Sequence, residues 1–143
     1  MVKIRKFKRT DINRLVEIFR QEYKKKPYNE KWKKESAKSY IGGKSRYFFV
    51  AIEGKAIVGF IQGNLYPWHD GLRGHINEIV VDSKYQRKGI GKALIKFIIK
   101  QFKKKKANTI ALSAKRKANA FKFYKKLNFK DEGEGYISLK RKI

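Results

Sequence analysis

The sequence predicts a mixed α/β fold, in which a largely antiparallel sheet carries helices packed on it. Three observations predict it. Apolar residues at helical spacing take turns along the chain with short runs rich in β-branched and aromatic residues. Gly54-Lys55 joins two of those runs as a tight hairpin would. Over residues 75–103 a strand, a glycine turn and an amphipathic helix follow one another directly.

Residues 2–8 alternate apolar and basic side chains, the pattern of a half-buried strand. Thr10 offers an N-cap to a helix whose Ile12, Leu15, Val16, Phe19 and Tyr23 share one face. Pro27 and Asn29 can start a second helix running to about Tyr40, which Gly42 and Gly43 would end. Residues 47–53 and 56–65 form the hairpin, a polar loop covers 67–73, and residues 75–82 make the next strand. The helix from Gly89 to about Lys103 buries Ile90, Ala93, Leu94, Phe97, Ile98 and Phe102. Residues 109–114 read as a short strand, 119–127 as a helix with Phe123 and Leu127 on one face, and 129–139 as a closing hairpin around Gly133 to Gly135. The expected total is about six to seven strands and about four helices. No repeat or linker divides the chain, so residues 1–143 are expected to form one domain.

Composition narrows the function. An apolar share of 41%, with 14% aromatics, supports a real core in 143 residues. The absence of cysteine excludes disulfides, thiolate metal sites and cysteine nucleophiles, and two isolated histidines argue against a catalytic metal. No apolar run is long enough to span a bilayer and MVKIRKFKRT lacks a signal-peptide core, so a soluble, cytoplasmic protein is expected. The formal net charge is +26, and the interval between Asp82 and Asp131 holds no acidic residue but seventeen basic ones. Such a field favours anionic ligands. A lysine-rich surface also serves solvation in a hot or saline cell, so composition leaves a polyanionic partner and simple adaptation both open.

The chemistry concentrates in DSKYQRKGIGKALIKFI, which follows the strand INEIVV. Glycines at 89 and 91 let a ligand approach the backbone closely. Unpaired amides at the start of the following helix, with its dipole and with Arg87, Lys88 and Lys92, make an anion cradle. Neither a P-loop nor a dinucleotide fingerprint fits the glycine spacing.

Here the sequence resembles the GNAT superfamily of N-acetyltransferases, whose turn reads Q/R-x-x-G-x-G/A. Gln86, Gly89 and Gly91 match it, and AFKFYKKLNF resembles the family's later A-x-x-F-Y-x-K-x-G-F segment. The resemblance implies acetyl-CoA as cosubstrate and a sheet splayed between the strands at 75–82 and 109–114, where the thioester enters. It implies that backbone amides of Arg87, Lys88, Gly89, Ile90, Gly91 and Lys92 hold the pyrophosphate beside Gln86. Val80 and Val81 would pair with the pantetheine arm, and Asn119 would contact it or cap its helix. Tyr124 matches the tyrosine that protonates the departing thiolate; a phenol with an ordinary pKa near ~10 holds that proton at neutral pH. A base must also take a proton from the acceptor amine, and Glu78, His75 or water can serve. Strict alternation puts Glu78 and His75 on opposite faces, and a bulge would change that.

The match has departures. Lys117 stands where an asparagine is frequent, Asn128 replaces a helix-ending glycine, and the 109–114 strand lacks the glutamate common in enzymes acting on ribosomal-protein N-termini. The implied function is acetyl transfer to a primary amine of a peptide N-terminus, a lysine or a small metabolite. The positive field disfavours polycationic acceptors. Tyr28, Trp32, Tyr66, Trp68 and His69 are candidate acceptor contacts. The alternative is a basic RNA- or ribosome-binding module on the same fold without turnover.

Overall fold

The computed structural model describes residues 2–43, 45–115, 118–133 and 139–143. The chain divides into two compact units, Met1–Ser113 and Ala114–Ile143. In the first unit, five strands form one sheet: β1 (Val2–Lys6), β2 (Tyr47–Glu53), β3 (Ala56–Trp68), β4 (Gly71–Val81) and β5 (Thr109–Ala111). They lie in chain order. The first three pairings are antiparallel and β4 with β5 is parallel. Three helices accompany the sheet: α1 (Ile12–Tyr23), α2 (Lys34–Ile41) and α3 (Ile90–Lys104).

Alternation along the strands feeds two apolar layers. Phe48, Val50, Phe60 and Val80 form one core cluster with Leu15, Val16, Ile18 and Phe19 of α1 and Ala37 and Ile41 of α2. The intervening β2 residues turn to α3: Phe49 packs on Phe97 at 4.8 Å and Tyr47 on Phe102 at 5.1 Å. Two glycines let α3 sit close. A Cβ at Gly74 would overlap the Phe102 ring, and one at Gly63 would lie 3.1 Å from both Ile98 and Phe102.

Several boundaries differ from the expectation. The described residues hold five strands rather than six or seven, because residues 129–133 are not a strand and 134–138, the middle of the expected closing hairpin, lie outside the described residues. The expected loop at 67–73 is the end of a long hairpin, with Pro67 opposite Leu72 and Trp68 opposite Gly71. Side-chain packing extends it: the Arg73 guanidinium lies 4.7 Å from the centre of the Trp68 ring, and the Asn108 amide donates to the Asp70 carbonyl at 2.6 Å. The second helix starts at Lys34 rather than near Asn29, whose φ of 51° is left-handed and breaks a helix. Thr10 does not cap α1. Asp11 ends a 3-10 turn there, accepting the Lys8 backbone N–H at 2.7 Å and both Arg5 guanidinium nitrogens at 2.8 and 2.9 Å.

A second buried carboxylate, Asp82, ends β4. It accepts from Arg14 at 2.8 Å, from Gln21 at 3.2 Å and from the Lys84 backbone N–H at 3.1 Å. Both aspartates are held below the ordinary carboxyl range. For Asp11 the chief cause is the Arg5 hydrogen bond, opposed by burial. For Asp82 burial pushes upward, and the Lys84, Arg14 and Gln21 donors outweigh it.

A carboxyl lowered on folding stabilises the fold above its unfolded pKa near ~3.9, and that contribution is lost as pH falls through the lower folded value. Arg14→Ala is therefore expected to cost about 1–3 kcal/mol at neutral pH, because it strips a charged donor from a buried carboxylate. The acid-unfolding midpoint should also move upward. A thermal melt and an acid titration followed by circular dichroism check both outcomes.

Candidate active site

Strand β4 carries the residues that chemistry requires, and one irregularity decides which way they face. Gln62 lies opposite Glu78 and Gly63 opposite Ile76, so Asn77 is an extra residue on β4, a β-bulge. His75 lies opposite Asn64. Directly opposed residues share a face, as do Gln62 and Asn64 two positions apart, so Glu78 and His75 face the same side of the sheet. Strict alternation would have separated them. That face is the one covered by α1 and α2.

Glu78 is half-buried there and accepts one phenol on each oxygen, Tyr23 of α1 at 2.5 Å and Tyr40 of α2 at 2.6 Å. Burial pushes its carboxyl above the ordinary range, the two phenols oppose the rise, and the charge of Glu30 adds to it. Tyr28 and Tyr40 are raised in turn, first by burial and then by the nearby carboxylates. Glu30 accepts from the Trp32 indole at 2.8 Å. Rings of Phe19, Tyr23, Tyr28, Trp32 and Tyr40 pack with centroids 4.6 to 5.7 Å apart around this spot. Among the described residues no Lys or Arg forms a salt bridge with Glu78 or Glu30, despite the chain's charge of +26. His75 has a different partner: its Nδ1 is 3.0 Å from the Asn77 side-chain oxygen, and the Asn77 amide donates to Ser45 at 2.9 Å.

Beyond His75 the two parallel strands part. β5 pairs with β4 only at Arg73, Gly74 and His75, and β4 continues to Val81 with no β5 partner among the described residues. Val80 is buried and Val81 half-buried along this stretch. The turn after Asp82 is braced from α1. Glu22 accepts the Ser83 backbone N–H at 3.0 Å, and the Gln86 amide donates to the Val81 carbonyl at 2.8 Å. Arg87 and Gly89 take left-handed conformations, with φ of 64° and 80°. Because α3 begins at Ile90, the N–H groups of Ile90, Gly91 and Lys92 have no carbonyl one turn back, whereas that of Ala93 bonds to Gly89 at 3.0 Å. A Cβ at Gly89 would meet nothing within 4 Å, so the space over the turn is open. Arg87, Lys88 and Lys92 are exposed around it. An open surface with orphan amides and three cations suits a pyrophosphate.

The predicted residues Val80, Val81, Gln86, Arg87, Lys88, Gly89, Ile90, Gly91 and Lys92 are thus contiguous on β4, the turn and α3. Asn119 and Tyr124 belong to the second unit, on α4 (Asn119–Lys126). Asn119 is the first residue of that helix rather than its cap, which is Ala118. Tyr124 is buried and packs on Phe123 at 5.4 Å and Phe129 at 5.9 Å. Asn128 has a φ of 69°, the left-handed helix ending open to asparagine. Sequence reasoning missed the phenols on Glu78. Tyr23 was legible as a core-face residue and Tyr40 as a helix end, and nothing in the spacing joins them to a strand carboxylate. Among the described residues no group of three or more His, Cys, Asp or Glu side chains could hold a metal.

A family model described as the acetyltransferase (GNAT) family matches residues 12–129. Among solved structures, PH1933 from Pyrococcus horikoshii OT3 is 32% identical, with 96% of this chain and 94% of that chain covered and a TM-score of 0.78. PaiA N-acetyltransferase from Thermoplasma acidophilum, solved in complex with coenzyme A, is 26% identical over 92% of this chain and 91% of that one, with a TM-score of 0.73. An aminoglycoside acetyltransferase from an uncultured soil metagenomic sample, solved with sisomicin, shares the fold at 21% identity, with 99% and 96% covered and a TM-score of 0.75. No curated protein matches the sequence.

The two phenols hold the Glu78 carboxyl down against burial, so removing one should let it rise further. Tyr40→Phe is the informative change because Tyr40 is 47% exposed and its ring packing survives. Carbon-detected NMR titration of Glu78 should give a higher pKa in the variant, and an equal or lower value contradicts the assignment.

Proposed function

The chain belongs to the GNAT acetyltransferase family, and from that premise we propose that it transfers an acetyl group from acetyl-CoA to a primary amine by direct attack in a ternary complex. The observation that carries this reading is the open turn at Gly89 with its orphan amides, placed at the end of a strand that has no β5 partner beyond His75 among the described residues and whose inner face bears Glu78. In this reading residues 1–143 serve as one N-acetyltransferase domain in the cytoplasm.

The backbone amides of residues 87–92 hold the pyrophosphate, and Arg87, Lys88 and Lys92 neutralise it. Val80 and Val81 offer the edge of β4 that has no β5 partner among the described residues to the pantetheine arm, and Gln86 fixes the turn by holding the Val81 carbonyl. Asn119 is assigned to the same arm. Acetyl-CoA, when bound, supplies the activated acetyl thioester. Glu78 accepts the proton of the incoming ammonium, and burial raises its proton affinity for that task. Tyr124 donates its phenolic proton to the departing sulfur. His75 is the weaker candidate base, since its Nδ1 is engaged by Asn77.

The surroundings of Glu78 refine the acceptor. Two carboxylates that form no salt bridge among the described residues, set among several aromatic faces, favour an ammonium group entering with its adjoining apolar stem, although the Arg20 guanidinium stands at the edge of this wall, donating to the Trp32 carbonyl at 2.7 Å. The positive surface elsewhere disfavours further cations on the same molecule. A peptide N-terminus, a lysine side chain or a small monoamine meets both conditions.

Acetyl-CoA at about a millimolar should raise the melting temperature by several degrees, since a ligand that binds only the folded state stabilises it. Gly91→Val should abolish that shift while preserving the apo fold, because Gly91 lies inside the first turn of α3. Gly89→Val is the poorer test: a β-branched residue at a φ of 80° strains the fold itself. No shift in the wild type would sink the cofactor assignment.

Catalytic roles separate from structural ones by rate. Tyr124→Phe keeps the ring and should leave acetyl-CoA affinity unchanged, while lowering kcat by roughly ten- to a thousandfold. Glu78→Gln should lower kcat by a similar factor and remove the acid limb of the pH profile. Thiol release with a panel of monoamines and peptides measures both. Wild-type kcat in either variant retires that residue from its role without touching the family assignment.

A further inference from the structure

The outer face of α3 is a row of lysines of which acetyl transfer, as proposed above, uses only Lys92. Ile90, Leu94, Ile95, Ile98 and Phe102 are the buried side of the helix. On the other side Lys92, Lys96, Lys100 and Lys103 fall within an arc of about 80° and, at the helical rise, spread over about 17 Å. All four are exposed, and exposed Lys104, Lys105 and Lys106 continue the row. Among the described residues none of these ammonium groups meets a carboxylate; the ion pairs there are Arg5–Asp11, Arg14–Glu17, Arg14–Asp82 and Lys25–Glu22. The sequence places no acid anywhere between Asp82 and Asp131. Lysines four apart repel one another and weaken a helix, and solvation alone is served as well by mixed signs. A one-signed row makes a local field that calls for a row of negative charges.

We propose that this face binds the phosphate backbone of double-stranded nucleic acid, as a second activity independent of acetyl transfer. The choice of a duplex follows from what the arc lacks. Binding of single strands relies on aromatic platforms for unstacked bases, and the exposed arc has none. The nearest rings are turned elsewhere: Phe97 packs on Phe49 at 4.8 Å and Phe102 is buried. A membrane surface would require apolar side chains to insert, and they too are missing from the arc. Lysine contacts to phosphate carry charge without sequence information, so the binding is expected to be nonspecific.

Fluorescence anisotropy with a labelled DNA duplex of roughly 20 base pairs, titrated between about 50 and 200 mM salt, tests the proposal. The variant carrying Lys96→Gln, Lys100→Gln, Lys103→Gln and Lys104→Gln should bind at least about tenfold more weakly near 100 mM salt, and its slope of log affinity against log salt should fall by up to about 3.6, at ~0.9 per lost contact. Its acetyl-transfer rate should stay at the wild-type value, since none of the four is assigned to catalysis or cofactor binding. A control with Lys31→Gln, Lys33→Gln, Lys34→Gln and Lys38→Gln removes equal charge from exposed positions elsewhere and should change affinity by less than about threefold. A melting curve confirms folding of each variant, and the double change Lys96→Gln with Lys100→Gln replaces any that unfolds. Equal losses in both sets would reduce the effect to net charge and overturn the proposal. So would wild-type binding to phosphatidylserine vesicles without binding to the duplex, or no duplex binding at all.

Discussion

The buried carboxylate of Asp82 is the interaction on which the candidate cofactor turn depends. Its backbone N–H bonds to the Val58 carbonyl of β3 at 2.8 Å, and its side chain takes Arg14 and Gln21 from α1 and the Lys84 amide from the turn itself. One residue therefore ends β4, docks α1 against that end and starts the chain toward Gly89. The same Arg14 reaches the Ile57 carbonyl at 3.2 Å, which ties the helix to two strands at once. A carboxylate so enclosed is tolerable only because several donors serve it together.

A single inserted residue has a comparable effect on the chemistry. The bulge at Asn77 keeps Gly74 and Ile76 on the α3 side while turning Glu78 to the side of Tyr23 and Tyr40. Without it the carboxylate would lie under α3, in the apolar layer of Ile98 and Phe102. With it, Glu78 joins an aromatic wall, where burial raises its pKa and two phenols keep it satisfied. The sheet thus carries carboxylates and aromatic rings around Glu78 on one side and a lysine row over the outer face of α3 on the other. These opposite environments come from opposite sides of one sheet.

Close packing links the two sides. Gly63 and Gly74 let α3 lie directly on the sheet, so that Ile98 and Phe102 occupy the volume their side chains would have taken. The lysine row on the far side of α3 weakens that helix by repulsion, and the apolar face held against the sheet offsets it.

Much of this was legible in the sequence because it rests on local pattern. Periods of two and of about three and a half place β2, α1 and α3 nearly to the residue. The glycines at 89 and 91 announce a turn that needs a left-handed residue and open space, and the structure has both at Gly89. Other features exist only once distant segments meet. Proline and polar residues at 67–73 read as a loop, yet the Trp68–Arg73 stack and Asn108 hold them in a hairpin. The bulge leaves no mark in composition, since an extra residue is defined by its partner strand and not by its own identity. The phenols on Glu78 come from residues 55 and 38 positions away, so periodicity could place Tyr23 on a buried face without saying what it would touch. The sequence by itself determined the order of elements from β1 to α4, the place of the glycine turn and the charge. Tertiary structure alone decided which face Glu78 takes and how its proton affinity is tuned, because facing depends on register between strands and tuning on burial and contacts supplied by helices far along the chain.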